Sequence, residues 1–246
     1  MHILLLNSSI KKKKSRSLTI AHSFIEGLKV NEEIKEQIEV EEVCLYEKNI
    51  KECLCCYYCW REDSEGNCIQ KDDMSELLMK YISYDIVIWS FPLLFYGFPA
   101  VMKKFIERSL PLYTSHKYVE GNEYIQARRY TKLVDRRELF ISTCGLPVRN
   151  NNYEPVDEML RLMFHDKAER IYCTQGTLFE EKRFDKIVNR YLLAVKEAGR
   201  YYSLEDGILP KYKDRLSQPF LPEELYADAA NHNKTWLNRQ NVNSLN

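Results

Sequence analysis

Ile86-Val87-Ile88-Trp89-Ser90-Phe91-Pro92-Leu93-Leu94-Phe95-Tyr96-Gly97-Phe98-Pro99-Ala100-Val101-Met102 is the longest nearly apolar run in the chain, and its reading decides the fold. At 17 residues it sits at the lower edge of what a bilayer-crossing helix needs. Pro92, Gly97 and Pro99 interrupt it, and a proline inside a helix removes a hydrogen bond and clashes with the preceding turn. The run therefore divides into a fully buried strand at Ile86 to Trp89, a turn, and a helix from Pro99 to Leu110 with Val101, Met102, Phe105 and Ile106 inward.

The same alternation extends in both directions. His2 to Leu6 reads as a strand, followed by a helical face of Ile20, Ala21, Phe24, Ile25 and Leu28, then by a strand at Ile38 to Leu45. Met74, Leu77, Leu78, Tyr81 and Ile82 form a helical stripe, with Asp73 and Glu76 spaced as a capping box. Leu139 to Thr143 and Ile171 to Thr174 are strands. The first precedes a helix carrying Val156, Met159, Leu160 and Met163, the second one carrying Phe184, Ile187, Val188, Tyr191, Leu192 and Val195. Five strands and five helices in alternation make an α/β, doubly wound parallel sheet, and the flavodoxin-like strand order 2-1-3-4-5 fits. Residues 1–204 form this domain, with a cysteine-rich loop at 50–70 and an insertion at 111–137 that reads as a lid or an interface. Residues 205–246 form a C-terminal extension, aromatic enough to pack on the core or on a neighbouring subunit.

Composition narrows the function. The 246 residues carry 36 basic and 36 acidic side chains, so no net field attracts nucleic acid or an anionic membrane. With 45% hydrophobic and 29% charged residues the chain has the makings of a soluble globular protein. Met1-His2 precedes the apolar residues and the lysines follow them, the wrong order for a secretory signal, so a cytoplasmic location is expected. In that reducing setting, five cysteines between Cys53 and Cys68 point to metal or redox chemistry before structural disulfides.

In such a sheet ligands bind beyond the carboxyl ends of the strands, which directs attention to the loops after strands one, three and four. Neither G-x-G-x-x-G nor a Walker A motif occurs among the eight glycines. The first loop instead offers Ser9, Lys11, Ser15, Arg16 and Ser17 at the start of a helix, where free amides and hydroxyls suit a phosphate and two cations would neutralise it. The alternative is a solvated loop in which Ser15 or Ser17 merely caps the helix. The second loop, Pro92, Leu93, Leu94, Phe95, Tyr96 and Gly97, suits a planar aromatic ligand, or else is a turn plugged into the core. In the third, Thr143, Cys144 and Gly145 let backbone approach a ligand closely. His165, Trp60 and Trp89 read as surface or packing residues.

These loops resemble those of the flavodoxin-like NAD(P)H-dependent FMN reductases, a family that includes the iron-sulfur flavoproteins and is related to the multimeric flavodoxins. The likeness covers about residues 1–200, with an echo at Leu225-Tyr226 and Asn231 to Trp236. The family loop G-S-x-R-x-x-[SG]-N-[ST] is similar to Ser9 through Ser17 with one extra residue; Lys11 for arginine and Arg16 for asparagine are departures. T-P-[LV]-Y-x-x-[GS]-x-P is similar to Phe91 through Pro99, with Leu94 where tyrosine is usual. The resemblance implies FMN, its phosphate on the first loop and its ring against the other two, and NAD(P)H as reductant. It also implies a homodimer or homotetramer. The expected activity is transfer of reducing equivalents through flavin N5 to a quinone, a nitro or azo compound, free flavin or a redox protein. An electron-transfer module carrying FMN, and a flavin-free cysteine sensor, are the alternatives.

Cys53-x2-Cys56-x2-Cys59-x8-Cys68, with Cys55 as an extra thiol, has the compact spacing that wraps thiolates around an iron-sulfur cluster rather than the paired spacing of a zinc ribbon. Relatives of this kind include both cluster-bearing proteins and proteins with similar cysteines and no cluster. Free or reversibly oxidised thiols in a structural loop are therefore the first expectation, a bound cluster the second, and zinc the remaining alternative.

Overall fold

The computed structural model describes residues 1–34, 37–121, 123–164 and 167–232. Alternate side chains of β1 (His2–Asn7) point to opposite sides, Ile3 and Leu5 to one and Leu4 and Leu6 to the other, and all four are fully buried. That two-sided burial is what commits the strand to the middle of a covered sheet. β1 pairs in parallel with β2 (Glu39–Cys44) and β3 (Ile86–Pro92). The insertion then forms an antiparallel hairpin, β4 (Tyr113–Glu120) and β5 (Glu123–Arg128). Beyond it β6 (Arg137–Thr143) pairs with β3, and β7 (Ala168–Cys173) with β6, both in parallel. The main sheet thus runs β2-β1-β3-β6-β7, the order 2-1-3-4-5 of its own five strands.

Helices cover both faces. α1 (Arg16–Leu28) lies on the Ile3/Leu5 side, and α2 (Met74–Ser83) and α3 (Ala100–Glu107) on the Leu4/Leu6 side. After the short α4 (Lys132–Asp135), α5 (Glu154–Phe164) joins α2 and α3, and α6 (Asp185–Arg200) joins α1. α1 and α6 touch backbone to backbone. A Cβ on Gly27 would lie 2.0 Å from Lys196 O, and one on Gly199 2.1 Å from Phe24 O. On the other face Trp89 stacks on Phe140 at 5.8 Å and donates its indole N–H to Glu138 at 2.7 Å. Glu138 also accepts from Tyr81 at 2.7 Å and pairs with Arg136, so this buried carboxylate is fully partnered.

Several local expectations change. The third strand continues through Phe91 to Pro92, held by Leu93 N–H donating to Thr143 O at 2.9 Å, and its helix is shorter, Ala100–Glu107. Asp73 does not cap α2. Its carboxylate accepts from Asn49 N–H at 2.8 Å, while Asp72 Oδ1 takes the Met74 N–H at 3.1 Å, because Asp73 is drawn to the segment after β2. The extension forms α7 (Pro210–Ser217) and α8 (Glu223–His232) and buries Tyr212, Leu216 and Tyr226 against its own chain. His165 and Trp236 lie outside the described residues.

Candidate functional site

Parallel strands bring the chain segments after Asn7, Pro92, Thr143 and Cys173 to one rim. In the first, Ser8 N–H donates to Ser90 O at 2.8 Å, fastening the loop to the end of β3. Ser15 Oγ takes the Leu18 N–H at 3.4 Å, so the capping expectation holds for that serine. The amides of Arg16 and Ser17 still head the helix with no acceptor inside it. Ser17 turns inward, 2.9 Å from Ser15 Oγ and 3.0 Å from Ser90 Oγ. Ser9 Oγ accepts from Lys11 N–H at 3.3 Å. Two buried polar atoms of this loop, Ser8 Oγ and Arg16 Nε, have no partner. Free donors, two helix amides and two cations are the donor set a phosphate needs, so the residues fit a phosphorylated ligand.

The cations are already engaged. Glu180, from the segment after β7, lies 3.0 Å from Lys11 Nζ and also pairs with Arg16. Burial pushes its carboxyl up, but Lys11 and Arg16 outweigh that and hold it below the ordinary glutamate range. A carboxylate thus sits on the groups that would neutralise a phosphate.

The second loop is a two-residue turn. Leu94 and Gly97 exchange both backbone hydrogen bonds, at 3.1 and 3.0 Å, and the central residues Phe95 and Tyr96 have φ of 47° and 61°. Left-handed backbone at two aromatic residues is costly, of order 1–3 kcal/mol each. Among the described residues nothing packs on Phe95, whose exposure is 102%, and Leu94 and Tyr96 are half exposed. The amides of Leu93, Leu94 and Gly97 are consumed within the chain, which leaves those of Phe95 and Tyr96 at the turn for a ligand.

The third loop is clamped from outside the sheet. Gly176 N–H donates to Cys144 O at 2.7 Å, and the Tyr226 hydroxyl donates to Gly145 O at 2.7 Å while lying 2.8 Å from Thr177 Oγ1. Gln175 bonds to Leu146 O through its amide and to Pro147 O and Leu221 O through its side chain. A Cβ on Gly145 would reach Thr177 Cγ2 at only 3.5 Å, an ordinary contact, so the glycine keeps surface open rather than relieving a clash. Cys144 is buried, and burial pushes its thiol up.

At a second place, Cys53, Cys56, Cys59 and Cys68 line one pocket together with Tyr57, Tyr58 and Arg108. All are free thiols, as is the exposed Cys55. Burial raises the Cys59 thiol, with Cys68 beside it adding to the effect. Among the described residues no three His, Cys, Asp or Glu side chains converge on one metal ion. Four thiols nevertheless line one pocket, and four cysteine thiolates are the ligand set of an iron-sulfur cluster.

The segment after β7 was not singled out in the sequence, and Tyr226 only as part of the echo in the extension. Glu180, Thr177, Gln175 and Tyr226 all reach the rim, and only the position of the fifth strand's carboxyl end could have pointed to the first three.

A family model described as the flavodoxin-like fold matches residues 1–173. The iron-sulfur flavoprotein of Archaeoglobus fulgidus is 40% identical over 73 residues, which is 30% of this chain and 32% of that protein, so the match spans about a third of the relative's length. An FMN-dependent NADH-azoreductase of Bacillus anthracis, solved in complex with FMN, superposes with a TM-score of 0.57 at 14% identity, covering 81% of this chain and 98% of its own. An NAD(P)H:quinone oxidoreductase of Methanothermobacter marburgensis gives 0.55 at 19%, covering 82% and 98%. At these identities the two structures speak to fold alone. With 173 residues matched and the strand order of the sheet in agreement, the chain belongs to the flavodoxin-like fold family.

Proposed function

We propose that this chain is an FMN-dependent NAD(P)H oxidoreductase. The observation that carries the reading is the first loop, where Ser8 Oγ, Arg16 Nε and the two leading amides of α1 stand unpaired beside Lys11 and Arg16. Lys11, Arg16 and the hydroxyls of Ser9 and Ser15 would hold the FMN phosphate, with Ser17 supporting Ser15 from within. Pro92 through Gly97 and Thr143, Cys144 and Gly145 would flank the ring. FMN bound there would supply the redox chemistry, one hydride (two electrons and a proton) accepted from NAD(P)H and the two electrons passed on to an acceptor. The chain's own part is to bind and orient: Leu94, Phe95 and Tyr96 present apolar surface to the ring and keep water off it, and Tyr226 fixes the carbonyl of Gly145. No side-chain acid or base is assigned. A quinone, a nitro or azo compound, free flavin or a redox protein would be the acceptor.

Leu94, Phe95 and Tyr96, with Tyr118, Val119 and Tyr124 on the hairpin, leave apolar side chains exposed, which supports a homodimer or homotetramer as the working unit. No helix among the described residues is long and apolar enough to cross a membrane. The four-thiol pocket favours a second reading, in which an iron-sulfur cluster on Cys53, Cys56, Cys59 and Cys68 would accept single electrons and the chain would relay them between proteins. Anaerobic addition of NADH or NADPH to the FMN-loaded protein is expected to bleach the flavin within turnover time. If neither nucleotide bleaches it while dithionite does, the relay reading replaces the reductase.

A further inference from the structure

Arg108 is the most deeply buried cation that lines the cysteine pocket. Its side chain is 1% exposed and that of Asp72 is wholly buried, and the two form a two-point ion pair, Nη1 to Oδ2 at 2.6 Å and Nη2 to Oδ1 at 3.0 Å. Nη1 also donates to Lys51 O at 2.9 Å. Nη2 has a third role, donating to Cys68 Sγ at 3.5 Å. Nε is buried with no partner. Leaving a guanidinium N–H unmatched in the interior is expensive, and a group so placed is explained if something accepts from it. The other charged residue lining this pocket, Glu107, is exposed and paired with Lys103 at 2.8 Å, so among the described lining residues Arg108 is the cation, and its pairing with Asp72 still leaves Nη2 free to face Cys68.

Four thiolates around an iron-sulfur cluster carry net negative charge, and taking up an electron adds to it. Hydrogen bonds to the sulfurs and nearby charge set how readily that happens. We propose that Arg108 is the counter-cation of a cluster held by Cys53, Cys56, Cys59 and Cys68, donating to Cys68 Sγ and thereby raising the cluster's reduction potential. The role is that of a positioning residue, with Asp72 holding the guanidinium in place. The electron-transfer step makes and breaks no bond: the cluster gains one electron from a reduced flavin, or from dithionite in the test, and the donor is oxidised by one. The inference rests on the cluster reading given above.

The test uses full-length protein reconstituted anaerobically with iron and sulfide, with iron and acid-labile sulfide assayed, and titrated potentiometrically by electron paramagnetic resonance. Arg108→Gln is expected to lower the one-electron equilibrium constant by about tenfold, about 59 mV for a one-electron couple. Arg108→Lys, which keeps the charge but loses the fork, returns part of the shift. Asp72→Asn removes the opposite charge and is expected to move the potential upward. Opposite signs in the two variants are what electrostatics requires and what general loosening of the fold does not produce. Equal potentials in wild type and Arg108→Gln, or shifts of the same sign in Arg108→Gln and Asp72→Asn, overturn the role of Arg108 while leaving the cluster intact. A wild type that takes up no iron and sulfide, with all its thiols titratable, overturns the cluster reading itself and the proposal with it. Should Arg108→Gln fail to fold, the direction of the Asp72→Asn shift decides.

Discussion

At the scale of single residues the first loop carries the sharpest consequences. Arg16 combines a charge, an orphaned Nε and a place at the head of α1. Arg16→Ala should weaken FMN binding by about 1.5–3 kcal/mol, the range for a hydrogen bond to a charged group. Riboflavin, which lacks the phosphate, should be unaffected; calorimetric titration of both ligands measures the difference. Glu180→Gln should act in the other direction. Its carboxylate competes for Lys11 and Arg16, but both Lys11 and Glu180 are 43% exposed at the side chain, so the gain stays near that of a surface ion pair, about 1 kcal/mol or less. The same titration is expected to return an FMN dissociation constant up to about fivefold lower. Ser9, Lys11, Ser15 and Arg16 could be picked out from sequence because a cationic serine loop ahead of an amphipathic stripe has one main physical use. Glu180 could not, since an exposed glutamate in a charged segment differs from its neighbours only after the chain has folded.

Elements show where strain and close packing were traded for a site. The turn at Leu94–Gly97 puts Phe95 and Tyr96 in left-handed backbone that asparagine and glycine adopt at less cost. Phe95→Asn combined with Tyr96→Gly should therefore raise the thermal midpoint, by about 1–3 kcal/mol of stability, while lowering turnover with NAD(P)H as the ring loses its apolar neighbours. A rise in both stability and turnover would remove the turn from the site. The contact between α1 and α6 runs the opposite way: Gly199→Ala places a methyl 2.1 Å from Phe24 O and should cost about 3 kcal/mol or more in a denaturant titration. Four of the five sheet strands were legible as short apolar runs, and β2 (Glu39–Cys44) as valines with charges interleaved at a half-covered sheet edge. The hairpin was not, because Tyr113 through Arg128 mixes charge and aromatic residues without a buried face. The end of β3 was missed for a related reason: Pro92 looks like a breaker, but with no sheet hydrogen bond required of its nitrogen it continues the strand opposite Thr143.

Across the whole molecule, stability at low pH should hinge on the Asp72–Arg108 pair. Burial pushes the Asp72 carboxyl up, yet Arg108 and the amides of Lys51 and Met74 hold it below the ordinary aspartate value. A lowered folded value means that the stabilisation is complete above the unfolded value, about 3.9, and is lost as pH falls below it. The gap in thermal midpoint between wild type and Asp72→Asn should accordingly be constant from about pH 5 to 8 and close below about pH 4. The extension belongs to the same whole: Tyr226 on Gly145 and Leu221 on Gln175 join it to the rim. Composition foretold only that so aromatic a tail would bury itself somewhere.

Trp89 offers a different kind of consequence. It is fully buried on β3, stacked against Phe140, three positions before the proline that opens the second loop. Indole emission overlaps the absorption of an oxidised isoalloxazine, so light absorbed by Trp89 would be handed to a cofactor bound at the rim and its own glow would dim. Trp60 stands beside Tyr57, a residue lining the cysteine pocket, at 4.9 Å, so its emission would also respond to whatever fills that pocket. With Trp60 and Trp236 replaced by phenylalanine, the molecule becomes its own optical gauge of occupancy at the rim.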